Sequence, residues 1–202
     1  AVSLLVFGAI EMPMTRYIAD QLYNKDHSTF KSVYTYLATG LIIFGSVLGV
    51  IFYGHIDALS LFDKLFAIAL FCSVIVIWLS MIFLSAAKNY HQIIASFVIG
   101  GLLSSVLSPI LGKTFGLSGY ISGYASGQVL ISILLTINIF TEFKGVDYST
   151  FEFVRYFKKH KSLVFVGLFY YLGIWIDKFI FWFGPNGKQV TDLFYTNQYY
   201  DT

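Results

Sequence analysis

Charge is what this sequence has least of. Asp, Glu, Lys and Arg together make up 12% of 202 residues, about half the share of a soluble domain. With 57% hydrophobic residues and a mean hydropathy of +0.72, a water-soluble fold would lack the polar groups to cover its surface. The net charge of +2 leaves no basic face to track phosphates, which excludes a nucleic-acid partner. The single cysteine, Cys72, excludes an internal disulfide. No metal-ligand spacing surrounds it, and in its apolar run it reads as a small packed hydrophobe.

The N-terminus also lacks an initiator Met, a basic n-region and a small-residue cleavage site. The apolar run Ala1 to Ile10 meets Glu11 and Pro13. It is too short to span about 30 Å of hydrocarbon at 1.5 Å per residue. We expect it to be the second half of a helix, in a chain that is an internal piece of a longer protein. The polar end, Asn197 to Thr202, fits the same expectation.

What the sequence has in abundance is long uncharged stretches. Ser32–Ile56, Leu65–Ala87, Gln92–Gly112 and Thr114–Thr141 carry almost no charge and reach the roughly 20 residues a spanning helix needs. Ser162–Phe183 has the length as well, with Asp177 and Lys178 inside it. Backbone amides in lipid must be paired within the segment, so these runs are expected as helices. Transmembrane strands would alternate polar and apolar residues, and these do not. The expected fold is an all-α membrane protein, a polytopic bundle of about six transmembrane segments counting the first partial helix.

Lys and Arg set the orientation. Arg16, Lys25 and Lys31 fall in one connection, Lys88 in another, and Lys144, Arg155, Lys158, Lys159 and Lys161 in a third. Lys64 and Lys113 fall in the alternate connections. Nine cations against two places the first set in the cytoplasm, with Arg16, Arg155, Lys158 and Lys159 in cytoplasmic loops. The tail after Phe183 then lies on the opposite side.

Small residues recur at helical spacing. Gly119, Gly123 and Gly127 share a face, as do Gly45 and Gly49, and Gly100, Ser104 and Ser108. Such stripes let helix backbones approach closely. They serve either fixed packing or a surface that slides during a conformational cycle. Pro109, deep in its span, is expected to kink it.

Little in the sequence supports catalysis. The glycine-rich stretch Gly116–Gly127 lacks the Lys-Ser/Thr of a phosphate loop. His27, His55, His91 and His160 show no ligand spacing, and no Ser/His/Asp or Cys/His set has a supporting motif. No enzyme, metal or cofactor is expected. The exception to this blandness is Gly173–Trp182. Asp177 and Lys178 each cost about 2.5–3.5 kcal/mol in a span. Asp177 lies about 22 Å along the helix from Ser162, and the two adjacent side chains do not face one another. They line a water-filled pathway, or they form a structural ion pair, with Lys178 alternatively snorkelling to the interface. Tyr170, Tyr171, Trp175 and Trp182 crowd the same helix. Sugar rings stack on such side chains, yet interfacial belts enrich them too.

Two segments carry a family resemblance. Thr15-Arg-Tyr-Ile-Ala-Asp-Gln-Leu-Tyr-Asn-Lys25 and, more specifically, Gly167-Leu-Phe-Tyr-Tyr-Leu-Gly-Ile-Trp-Ile-Asp-Lys-Phe-Ile-Phe-Trp182 resemble the Pel exopolysaccharide transporter family (PelG). That family sits in a flippase superfamily of twelve helices in two six-helix lobes. The resemblance implies that residues 1–141 run from within helix 2 to helix 6, and that 142–161 form a cytoplasmic linker between lobes. Residues 162–202 would then be the first helix of the second lobe plus an extracytoplasmic loop. It implies an inner-membrane exporter working by alternating access, with Asp177, Lys178, Trp175, Trp182 and Tyr171 along the substrate pathway. It further implies membrane lipid, a polysaccharide substrate, other Pel-type membrane subunits and a cytoplasmic glycosyltransferase as partners. A non-transporting scaffold for a glycosyltransferase complex and a small-molecule exporter of the same fold are the alternatives.

Overall fold

The apolar runs do become helices. A computed structural model of the protein describes residues 2–24, 28–56, 59–143, 151–191 and 194–197. Lys25, His27, Lys144 and the end of the tail fall outside these residues. The helices are α1 (Val2–Tyr23), α2 (Phe30–Gly54), α3 (Leu61–Ala86), α4 (Tyr90–Phe115), α5 (Leu117–Glu142), α6 (Phe151–Lys159) and α7 (Lys161–Phe183). Five of them, α2, α3, α4, α5 and α7, are long and apolar enough to cross a membrane. The protein is an all-α, polytopic membrane protein.

Two elements depart from the sequence reading. The first helix does not stop at Ile10 but runs through Glu11 and Pro13 to Tyr23. Membrane helices accommodate proline, and Glu11 finds a partner described below. Arg16 therefore lies on a helix rather than in a loop, and so do Arg155, Lys158 and Lys159, which belong to α6. The second departure follows Phe183. Instead of a loop, strands β1 (Gly187–Thr191) and β2 (Phe194–Asn197) pair antiparallel. Pro185-Asn186-Gly187 supplies the turn residues before the first strand. Asn197, 2% exposed, donates its side-chain amide to the Phe181 carbonyl at 2.8 Å, which fastens the hairpin to the end of α7.

Successive helices alternate in direction, so one end of the bundle gathers the C-termini of α1, α3 and α5 with the N-termini of α2, α4 and α7. Aromatic packing seals this end. Phe30 meets Phe83 and Phe143 edge-on at 6.1 and 4.9 Å. Asn89, before α4, donates to Glu142 at the end of α5. Deeper in, Tyr34 of α2 is fully buried. Its hydroxyl reaches Ser80 of α3 at 2.8 Å and Thr136 of α5 at 2.7 Å. At the other end Ser60 and Asp63 form a reciprocal capping box that starts α3, and Lys64 donates to the Gly54 carbonyl.

The α4–α5 pair packs by backbone. A Cβ placed on Gly123 would lie 2.5 Å from the Ser108 Cα, and one on Gly127 would lie 2.5 Å from the Gly100 carbonyl oxygen. Gly119 sits as tightly against the Leu111 carbonyl. Ser104 and Ser108 donate across the seam to the Tyr124 and Tyr120 carbonyls. A single residue joins the two helices. Gly116 takes φ +61° there, a conformation that costs L side chains and that glycine adopts freely. The α2–α3 pair is looser. Gly49 faces Ile68 at 2.8 Å and Gly45 faces Cys72 at 3.3 Å, in both cases side chains. α4 stays helical through Pro109.

Candidate functional site

The last helix is the least buried of the spans, with Gly167 as its one fully buried residue. Its contacts concentrate on α1, where the two backbones cross at glycines. A Cβ on Gly167 would overlap the Gly8 carbonyl. One on Gly8 would lie 2.9 Å from the Gly167 oxygen and 2.5 Å from the Tyr171 ring. Any side chain at either position holds the helices apart.

From that crossing a stripe runs along α7. Gly167, Tyr171, Trp175, Lys178 and Trp182 recur at intervals of four, four, three and four residues, so they share one face. Asp177 does not. It lies on the exposed face with Tyr170, Ile174 and Phe181. The structure thus brings together four of the five residues expected along a pathway and sets Asp177 about 100° away. The Asp177 carboxylate accepts the Lys178 backbone N–H at 2.7 Å. The Lys178 ammonium lies 4.8 Å from the centre of the Trp175 ring, within cation–π range.

Sequence reasoning missed the partner of this stripe. Glu11 hydrogen-bonds the Tyr171 hydroxyl with its carboxylate, and its Oε2 is buried without a partner among the described residues. It lines a groove of about 500 Å³ between α1 and α3, together with Phe7, Thr15, Trp78 and Ser85. Phe7 packs on Trp78 at 5.8 Å and on Tyr171 at 6.4 Å. The Trp175 indole Nε1, one turn along from Tyr171, is likewise buried without a partner. Glu11 is twelve residues from the end of α1, and Tyr171 is ten from the start of α7. These separations are about 18 and 15 Å, close to the middle of a 30 Å hydrocarbon layer. The signal that could have found Glu11 is an ionisable residue inside an apolar run. Pro13 and Arg16 made that run look finished.

These features meet their match in one comparison with known proteins. The model of a family described as "PelG: Putative exopolysaccharide Exporter (EPS-E)" matches residues 1–202. The chain belongs to the PelG family. Comparison with curated proteins and with solved structures returns no match. The PelG assignment makes this multi-pass membrane protein a member of a family described as exopolysaccharide exporters.

The basic end of this PelG chain holds a second cluster. Tyr156 of α6 donates to the Asp20 carboxylate of α1 at 2.5 Å and stacks edge-on against Tyr17 at 5.4 Å. Arg16 also reaches the Tyr156 hydroxyl. Burial, with the Asp20 carboxylate next, pushes Tyr156 up to about 12, so it remains a neutral donor. Phe153 packs against Tyr36 of α2 at 5.7 Å. Arg155, Lys158 and Lys159 point the other way and are exposed. Among the described residues no three His, Cys, Asp or Glu side chains come together in a way that could hold a metal ion.

Proposed function

We propose that this chain carries exopolysaccharide across the bacterial cytoplasmic membrane by alternating access, with α7 rocking on α1 at the Gly8–Gly167 crossing. Residues 1–141 belong to one lobe, 142–161 to the linker, and 162–202 to the second lobe. The basic end faces the cytoplasm, where a glycosyltransferase delivers polymer and other Pel-type membrane subunits complete the assembly. The glycan runs along Tyr171, Trp175, Lys178 and Trp182.

One observation carries this reading. A buried acceptor without a partner among the described residues, Glu11 Oε2, belongs to the carboxylate that bonds the Tyr171 hydroxyl, and a buried donor without one, Trp175 Nε1, follows one turn beyond Tyr171 on the same stripe. Buried polar atoms are almost always satisfied; Ser32, Asp63 and Gln92 also carry one that is not, but only the Glu11 and Trp175 pair lies along the aromatic stripe of α7, where a bound sugar would explain it. A sugar offers what they lack: hydroxyls that donate and accept, beside an apolar ring face. Scaffolding needs no such orphans.

The deciding experiment is Trp175→Phe in the full-length protein. Phe keeps an aromatic face and removes the N–H. Secreted polysaccharide should fall while protein level and co-purification of membrane partners stay unchanged, and Trp175→Leu should lower it further. Normal secretion by both variants would leave the chain with a scaffolding role.

A further inference from the structure

The helix between α5 and α7 is built with two unlike faces. Phe153, Tyr156, Phe157 and His160 fall at i, i+3, i+4 and i+7. Arg155, Lys158 and Lys159 fall at the same spacing on the other side. The aromatic face is already occupied. Phe153 is 5% exposed and joins the core, with Val154, Tyr156 and Phe157 packed against it. What remains outward is the basic face, continued by Lys161, the first residue of α7.

Its depth decides what that face meets. Tyr36, the partner of Phe153, is six residues from the start of α2, and Tyr17, the partner of Tyr156, is six residues from the end of α1. At 1.5 Å per residue both contacts lie about 9 Å inside the helix ends. α2 has 25 residues and is about 37 Å long. It therefore overruns a 30 Å hydrocarbon layer by only about 4 Å at each end. Contacts about 9 Å inside its end therefore lie about 5 Å within the hydrocarbon, the depth at which an interfacial amphipathic helix seats its apolar face, so α6 lies along the boundary between hydrocarbon and headgroups. Tyr36, 59% exposed, is an aromatic of the kind that anchors at that level. A soluble acidic protein would meet the bundle below this plane.

We propose that Arg155, Lys158, Lys159 and Lys161 form a binding site for anionic phospholipid headgroups, held at headgroup depth by the aromatic face of α6. The ligand is the phosphate of an anionic lipid such as phosphatidylglycerol. The site does not depend on the glycan pathway or on the rocking of the lobes.

The test uses full-length protein purified in a mild detergent and titrated with phosphatidylglycerol or phosphatidylcholine, bound lipid being counted by native mass spectrometry. The wild type should retain phosphatidylglycerol in preference to phosphatidylcholine, and rising salt should remove that preference. Each neutralised cation should weaken retention about fivefold, so Arg155→Gln with Lys158→Gln and Lys159→Gln should weaken it on the order of a hundredfold. The charge-preserving Lys158→Arg with Lys159→Arg should retain it. Equal retention of the two lipids by the wild type overturns the proposal, without reference to any variant's folding. So does unchanged retention by the neutralised triple variant, including the case in which that variant instead loses a soluble partner.

Discussion

Gly123→Ala is the smallest change that tests how the bundle holds together. The added methyl would sit 2.5 Å from the Ser108 Cα and 2.6 Å from the Ser108 N. Both are backbone atoms, so no side chain can swing aside. Ordinary contact begins at 3.4 Å, so α4 and α5 must part by about 1 Å. In lipid there is no hydrophobic term between helices, and close packing is what joins them. A gap of about 0.5–1 Å forfeits roughly a quarter to a half of each contact's dispersion energy, and the two cross-seam serine bonds stretch with it. Overpacking costs typically about 1–3 kcal/mol, and we expect about 2 kcal/mol here. Gly101→Ala is the control. It lies on the neighbouring face of α4, where a Cβ meets nothing within 4 Å, and the better helix propensity of alanine makes it neutral or slightly stabilising. The assay is unfolding of purified protein in mixed micelles with rising sodium dodecyl sulfate, followed by fluorescence of Trp78, Trp175 and Trp182. The variants should differ by on the order of thirtyfold or more in unfolding equilibrium. Equal midpoints would refute the argument that backbone contact at this seam carries the pair.

Further outcomes follow from other parts of the structure. Tyr34→Phe removes bonds to Ser80 and Thr136, but each of those hydroxyls has a carbonyl of its own helix, Val76 or Ser132, within reach to accept its proton. The cost in the same unfolding assay should therefore be near about 1 kcal/mol, the low end for two such bonds. Tyr156 has its hydroxyl raised from 10.0 to about 12, so folding favours its protonated form. Its contribution to α6 docking should be intact below pH 10 and disappear as pH climbs through 12. Hydrogen exchange of α6 measured across that interval, against Tyr156→Phe, checks the sign. Lys178→Met removes the cation over Trp175 and should reduce polysaccharide secretion more than Asp177→Asn does; the reverse order would move the pathway to the Asp177 face of α7. Single cysteines replacing Arg16 or Lys158, in a Cys72→Ser background, should resist impermeant thiol reagents in intact cells; labelling from outside would invert the proposed orientation.

The spans were legible because lipid imposes one solution on an uncharged run of sufficient length. The ends of α2, α3, α4 and α5 fall within a few residues of the runs read from charge alone, since charge marks where a helix leaves hydrocarbon. Charge also misled. Asp63 and Lys64 sit in the first turn of α3 because a capping box engages one Asp63 carboxylate oxygen and the Gly54 carbonyl accepts from the Lys64 ammonium. Glu11 and Arg16 sit mid-helix because α7 and α6 supply Tyr171 and Tyr156. No local pattern reveals a partner more than a hundred residues away. The same limit applies to the pathway residues. The spacing of Tyr171, Trp175, Lys178 and Trp182 on one face was present in the sequence, and so was the offset of Asp177. That the face meets α1 at Glu11 was not. The hairpin after Phe183 escaped notice because its strands are short and its turn signal stood in a segment read only for charge.

The Gly116 joint bears on how the protein enters the membrane at all. One residue between α4 and α5 leaves no slack for one helix to settle in the bilayer while the other waits outside. In the proposed orientation Lys113, in the last turn of α4, crosses with the joint. We expect the pair to leave the insertion machinery as a single hairpin, zipped along Gly119, Gly123 and Gly127. Its serine hydroxyls would then be satisfied by its own carbonyls before any other helix arrives. Lengthening the joint with a flexible insert would uncouple those two arrivals. Such a variant should show its defect during synthesis, as α4 or α5 stranded on the wrong side, while protein that does assemble should be as stable as the wild type.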